Sequence, residues 1–345
     1  MQVLLHGRQD CHYRLNNPWG HPLGRIADYL RPIRLDPQEY SLRENVRLVT
    51  DLLVGVGRDR RIVEETLHLQ EMEPRQRQRF RLRTLLPAQE RIPGAVCSLV
   101  DARQWSDSYF HWFIDCLPRL IAVDDHARNT GENARVIVPA RLRPWQAESL
   151  ALLGIDAVRL IHHRSVRGGG LAVRRLIATV SHRWQRLGDA PFDALSPWAI
   201  GKLRDLFSAA PVVAAGSGPR RLYLSRRGVP NRQVTNEEEV MAVLSPHGFV
   251  AVQTETLTLS EQIALFRDAT HIVAPHGASL TNLLHARQGS LLELFQEHHG
   301  VRPEFFQLAM INGLDYLHAL CPSVGSGRHM HVDPGVLNDY LDITL

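Results

Sequence analysis

Along the second half of the chain, short apolar runs alternate with stretches whose apolar residues recur at helical spacing. Residues 221–225 read as a strand. Asn236 then caps a helix with the acidic first turn Glu237-Glu238-Glu239, and Gly248 stops it. A strand over 249–253 leads to a helix over 257–269, for which Ser260 is the expected cap. Strands over 271–274, 291–295 and 316–319 alternate with helices over 277–286, 303–310 and 334–341. Such alternation implies a parallel sheet covered on both faces, with ligands outside the carboxyl ends of its strands.

The first half is less regular. Its first ninety residues hold turn signals at Asn17-Pro18, Gly20-His21-Pro22 and Arg31-Pro32, and one or two short strands within 46–56. Strands follow over 95–100, 136–138, 158–161 and 171–180, with Gly168-Gly169-Gly170 as a flexible turn. Residues 109–123 carry a helical pattern interrupted by Pro118, and 144–153 form a helix stopped by Gly154. A helix over 198–209 and the linker Gly216-Ser217-Gly218-Pro219 form a bridge. The expected organisation is an N-terminal α/β domain over 1–195, a helix and linker over 196–219, a second α/β domain over 220–330 and a terminal helix over 331–345.

Composition leaves that picture intact. With 345 residues, 44% of them hydrophobic, the chain is long enough for two cores. Lys202 is the only lysine, so the positive charge is arginine, the better residue for forked contacts to phosphate. The arginine-rich background explains the total, and only particular sites earn a functional reading. The run from Arg75 to Arg83 lacks the interleaved aromatics of a single-strand binder and reads as a solvated face, so nucleic acid is not an expected partner. Cys11, Cys97, Cys116 and Cys321 form no C-x-x-C pair, and no apolar stretch is long enough for a signal peptide or membrane span. A cytoplasmic protein is expected, with room for peripheral contact at a membrane.

Three segments carry chemistry. In the first, Val273-Ala274-Pro275-His276-Gly277-Ala278-Ser279-Leu280-Thr281-Asn282, a strand runs through a glycine turn into a helix. Its first amides suit a phosphate, with Ser279 and Asn282 adding donors. A plain strand-to-helix turn with a core histidine reads equally well. The second, Ser225-Arg226-Arg227 with Arg232, ends a strand in guanidinium groups able to neutralise a diphosphate. The third holds His111 and Asp115, four apart on one helical face: a general base and its partner, or a structural hydrogen bond. Glu293, on the strand Leu291-Leu292-Glu293-Leu294, is a candidate acceptor for ribose hydroxyls or a strand-end salt bridge. The pairs His162-His163, His298-His299 and His329-x-His331 lack metal-ligand spacing, and neither H-E-x-x-H nor D-x-D is present, so no metal cofactor is expected.

Together the segments resemble glycosyltransferase family 61, whose bacterial members are often labelled capsular polysaccharide biosynthesis proteins. The likeness lies in Tyr109-Phe110-His111-Trp112-Phe113-Ile114-Asp115-Cys116-Leu117-Pro118-Arg119, which looks like H-W-x-x-D-x-L-P-R, in Leu222 through Arg232 to Glu238, and in Leu259 through Asn282 to Leu294. It departs at Phe110, where a small or polar residue is expected. The resemblance implies a GT-B fold, two Rossmann-like domains with parallel sheets facing a central cleft. It also implies metal-independent inverting transfer from a nucleotide-sugar donor. The donor is expected at Arg226, Arg227, Arg232, His276, Gly277, Ala278, Ser279, Asn282 and Glu293. Asp115 would take the proton of a saccharide or glycolipid acceptor with His111 orienting it, or the roles would be reversed. A nucleotide-sugar epimerase or hydrolase, or a non-catalytic nucleotide- or carbohydrate-binding module, are the rival readings. No G-x-G-x-x-G follows a predicted strand, which disfavours a dinucleotide oxidoreductase.

Overall fold

Gly289–Gln296 is buried along nearly its whole length, which requires sheet neighbours on both edges and cover on both faces. In the computed structural model it lies inside a parallel sheet. The structure describes residues 1–49, 53–67, 74–100, 105–163, 169–187, 190–210, 218–325 and 329–345. Gly168 and the Gly216-Ser217 part of the expected linker lie outside the described residues. The chain divides into two units, one of Met1–Gln9 with Arg34–Ala210 and one of Asp10–Ile33 with Pro211–Leu345. Residues 10–33 thus fold with the second half of the chain.

The first unit holds a mixed sheet. Its strands are β1 (Gln2–His6), β2 (Gln38–Val49), β3 (Val54–Val56), β4 (Glu90–Ser98), β5 (Arg135–Pro139), β6 (Leu160–His163) and β7 (Leu171–Thr179). They run in the order β1-β2-β7-β4-β5-β6, with β3 also on β2. Strands β4 to β7 pair in parallel, as expected, whereas β1, β2 and β3 pair antiparallel. The antiparallel part comes from the first ninety residues. There β2 is twelve residues long, but its middle is exposed, so no apolar run marks it. Gly169 and Gly170 are buried rather than a flexible turn, and a Cβ on Gly170 would meet Leu48 O at 2.0 Å.

The 109–123 pattern is one helical path with altered winding. A short α-turn, Tyr109–His111, passes into a π-turn, Trp112–Cys116, then a 3-10 turn, Leu117–Arg119, and the α-helix Leu120–Thr130. Pro118 sits in the 3-10 turn, where its missing N–H costs least. Trp112 is fully buried and donates to Ser149 Oγ at 2.9 Å.

The second unit holds β8 (Arg221–Leu224), β9 (Phe249–Val252), β10 (His271–Pro275), β11 (Gly289–Gln296) and β12 (Leu314–Cys321). They are all parallel, in the order β9-β8-β10-β11-β12. The order reverses between β8 and β10, and ligands of such sheets bind beyond the carboxyl ends there. Two expectations are corrected. Thr258, not Ser260, caps the helix Leu259–Asp268, because its hydroxyl accepts from Glu261 N while Glu261 bonds back to Thr258. Asn236 precedes the helix Glu237–Leu244 without capping it, since its side-chain amide bonds Val332 N and O instead; the expected helix after Gly277 is wound as a 3-10 helix, Ala278–His285. Among the described residues no helix is long and apolar enough to cross a membrane.

Gly289 has φ +117°, and a Cβ there would meet Thr270 O at 1.9 Å. Gly289→Ala is expected to cost roughly 1–3 kcal/mol or more. Gly313, with φ +73° and open space around it, should tolerate alanine better. Urea denaturation of the two variants tests the order. Burial also pushes His182 and His318 down to about 4 and His285 to about 3, from 6.5. The unfolded chain therefore binds protons that the fold refuses below about pH 6.5. Stability is expected to be full at pH 7 and to fall as pH drops towards 4, with a denaturation midpoint that declines across that window.

Candidate functional site

In the first unit the altered helical path turns a short polar face inward. His111 Nδ1 lies 2.6 Å from Asp115 Oδ2. The carboxylate has 6% of its side chain exposed and the imidazole 23%. Asp115 Oδ2 also accepts from Arg183 Nη1 at 3.2 Å. Arg183 in turn forks onto Asp193, with Nε and Nη2 each 2.6 Å from a carboxylate oxygen. The hairpin Trp184–Leu187 with Ala190–Asp193 brings these two together, and Phe110 stacks under the guanidinium at 4.8 Å. Phe110, the departure from the family pattern, is therefore the apolar floor of an ion pair. Arg119 Nε donates to Asp115 O at 3.1 Å and Nη1 to Ser98 O at 3.0 Å, which ties the π-turn to β4. A π-turn places residues outside ordinary helical register and often marks functional sites.

The tautomer follows from chemistry. A carboxylate has no hydrogen to give, so a 2.6 Å contact requires hydrogen on His111 Nδ1. Nδ1 then has no lone pair for Arg183 Nη1, 3.4 Å away. A neutral His111 carries its lone pair on Nε2.

In the second unit the ends of β8 and β10 and the turn after β11 gather cations. Arg226 Nε and Nη2 donate to Asn231 O at 3.2 and 3.1 Å. Its Nη1 sits 2.2 Å from where a Cβ on Gly277 would be. Gly277 is extended, with φ −179°, so the glycine makes room for a guanidinium rather than relieving strain. Burial first, then repulsion from Arg232, pull Arg226 down to about 10, against a smaller attraction from Glu255. Arg232 adopts φ +61° and is lowered by burial and by Arg302. His299 is lowered by burial, Arg232, Arg302 and His276. Among the described residues Arg226, Arg232 and Arg302 form no ion pair with a carboxylate. Cations crowded without counter-charge are suited to a polyanion.

The structure separates the other expected residues. Arg227 is mostly exposed and pairs with Glu237 at 3.4 Å, itself held by Ser225. Asn282 is buried and donates to Gln262 Oε1 and Ser279 O, fastening the 3-10 helix. Ala278 is exposed and Ser279 partly so. The amides of Gly277, Ala278 and Ser279 precede the first bond of the 3-10 helix, from Leu280 N to Gly277 O. Glu293 is fully buried, with His276 Nδ1 2.6 Å from Oε1 and Tyr316 Oη donating to Oε2 at 2.7 Å. It has no exposed surface of its own. Among the described residues no three His, Cys, Asp or Glu side chains are grouped to hold a metal ion.

Sequence reading missed Arg183, Asp193, Tyr316 and Arg302, and weighed His299 only within a pair rejected as metal ligands. Position offered a signal for the last two, since both follow β11 at its carboxyl end. Arg183 and Asp193 carry none, because only the hairpin makes them neighbours.

A family model described as Glycosyltransferase 61 matches residues 109–292, more than half of the chain. No curated protein matches the chain. The match begins at the polar helical path, includes both arginines of the β8 turn and ends one residue before Glu293. The chain belongs to glycosyltransferase family 61 and, as a glycosyltransferase, works on a sugar donor and an acceptor.

Proposed function

We propose that this glycosyltransferase inverts the anomeric centre, uses a nucleotide-sugar donor and needs no resident metal. The GT-B class is part of the same proposal. The donor's diphosphate sits against Arg226, Arg232, His276 and the amides of Gly277, Ala278 and Ser279. The acceptor hydroxyl is activated by the first unit. What supports the donor reading is the crowding of Arg226, Arg232 and Arg302 beyond the point where the strand order reverses.

The observation that carries the catalytic proposal is the 2.6 Å contact between His111 and Asp115. It favours His111 as the base and Asp115 as the group that orients it. Asp115 Oδ2 is shared between His111 and Arg183, and its carboxyl is almost buried, whereas His111 is the more exposed of the pair. The acceptor oxygen attacks the anomeric carbon from the face opposite the diphosphate while its proton passes to Nε2. The bond to the diphosphate oxygen breaks and its electron pair leaves with the diphosphate. The imidazolium so formed lies against the Asp115 carboxylate, and the guanidinium groups and turn amides stabilise the departing charge. The setting proposed with this chemistry is bacterial surface or capsular polysaccharide synthesis on the cytoplasmic side of a membrane, with a saccharide or glycolipid acceptor. It rests on the family resemblance.

His111→Ala is expected to lower kcat by about 10²–10⁴-fold with donor KM little changed. Asp115→Asn should cost less activity per folded molecule but more stability, because Arg183 then loses a buried carboxylate. Turnover and melting temperature on the same preparations decide. If Asp115→Asn is the more severe per folded molecule, Asp115 is the base. A nucleoside diphosphate is expected to raise the melting temperature in EDTA, and stabilisation that vanishes with EDTA would sink the metal-free reading. Arg226→Ala and Arg232→Ala should each weaken that binding by roughly 1.5–3 kcal/mol, with Arg227→Ala unchanged, as read by calorimetry.

A further inference from the structure

The first unit's imidazole–carboxylate pair has a counterpart in the second. His276 Nδ1 meets Glu293 Oε1 at 2.6 Å, and Tyr316 holds the other carboxyl oxygen at 2.7 Å. The ring stacks on Phe295 with centroids 5.0 Å apart and lies 5.2 Å from Phe305, which fixes its plane. Glu293 is 0% exposed and His276 13%. The pair sits where β10 and β11 run side by side, one residue before the glycine that accommodates Arg226.

Two groups joined this closely exchange protons as one unit. Three arrangements fit the short contact. A carboxylate can face a neutral ring with hydrogen on Nδ1, which leaves a lone pair on Nε2 and a net charge of minus one. A carboxylate can face an imidazolium, or a carboxylic acid can face a ring with hydrogen on Nε2. The last two contain the same number of protons, are neutral overall, and differ only in where one proton lies along the 2.6 Å contact. In both of them Nε2 bears a hydrogen. Complete burial of Glu293 disfavours a net negative charge, and Glu304, from the next helix, disfavours it further. Arg232 acts in the opposite direction on Glu293, and His299 on His276, from the loops after β8 and β11. An anion bound among them offsets that opposition.

We propose that His276 and Glu293 hold two protons as a net-neutral unit, so that His276 Nε2 donates a hydrogen bond to the diphosphate of the donor. Glu293 is a positioning residue in this unit, and Tyr316 keeps its carboxyl group aligned. A lone pair on Nε2 would repel a phosphate oxygen, so the carboxylate decides whether the histidine welcomes or rejects the ligand. This inference rests on the donor-site reading above.

The test uses the full chain with uridine diphosphate, guanosine diphosphate and inorganic pyrophosphate as probes. Calorimetry on the wild type comes first, and failure to bind any of the three removes the donor-site reading itself. Where a probe binds, ¹⁵N-histidine spectra of the complex at pH 7.5 are expected to show Nε2 of His276 carrying hydrogen, with the signal assigned by its loss in His276→Gln. Glu293→Leu, which leaves Nδ1 without a partner, is expected to weaken the probe about tenfold at pH 7.5. Its affinity should fall further as pH rises from 6 to 8, while the wild type stays nearly level. A wild-type complex in which Nε2 lacks hydrogen overturns the proposal and leaves the donor site standing. So does a folded Glu293→Leu variant with wild-type affinity across that pH range. If Glu293→Leu does not fold, Glu293→Gln, whose amide can donate to Nδ1 as the carboxylic acid would, should keep affinity within about threefold of the wild type and stay level across that pH range, and a tenfold loss in the folded Gln variant overturns the neutral pairing. The spectra of the wild type need no variant to decide.

Discussion

An ionisable group taken out of water must meet a partner within hydrogen-bond distance, and this requirement organises the candidate sites of both units. Asp115 is buried with Oδ2 shared between Arg183 and His111 while Oδ1 has no hydrogen-bond partner among the described residues, and Arg183 is buried because Asp193 matches its fork. Glu293 is buried because His276 and Tyr316 occupy both its oxygens. In each case the carboxylate lies deeper than the imidazole it touches. The histidines are thereby held at the rim by groups that solvent does not reach, and their ring orientation does not depend on a ligand. Removing one member strands another in the interior, which is why stability and activity must be measured together in either unit.

The arginines beyond β8 and β11 follow the opposite rule. They stand close enough to depress one another and are left without carboxylate partners among the described residues. The fold tolerates this because backbone geometry, not charge, holds them in place. Asn231 O anchors Arg226, and Arg232 is fixed by a left-handed backbone. Repulsion of this kind would be relieved by an anion, and more by a multiply charged one than by a singly charged one.

What the sequence made legible follows burial and periodicity. Strands β8 to β12 are short, mostly buried and parallel, so their apolar runs stand out, and the helices between them show helical spacing. The first ninety residues were opaque because the middle of β2 is exposed and β2 pairs antiparallel with a strand far away in sequence. Ser260 was mistaken for a cap because both it and Thr258 are hydroxyl residues near the right place, and only the Thr258–Glu261 reciprocity separates them. His111, Asp115, Arg226, Arg232 and His276 could be named from local spacing. The depth of Glu293 could not, since a carboxylate inside an apolar run suggests a strand end as readily as a buried pair. Nor does any residue pattern announce a π-turn, which depends on where Trp112 and the Arg119 anchor settle.

The N-terminal segment Asp10–Ile33 belongs to the second unit, while the residues on either side of it belong to the first. The chain therefore changes unit three times, and the second unit is assembled from its earliest and latest parts. During synthesis at about 5–20 residues per second, that segment leaves the ribosome roughly 10–60 seconds before the last strand it must join. Ile26 and Tyr29 of that segment have no exposed surface in the finished fold. A protein built this way cannot complete its second unit until those later strands have been made.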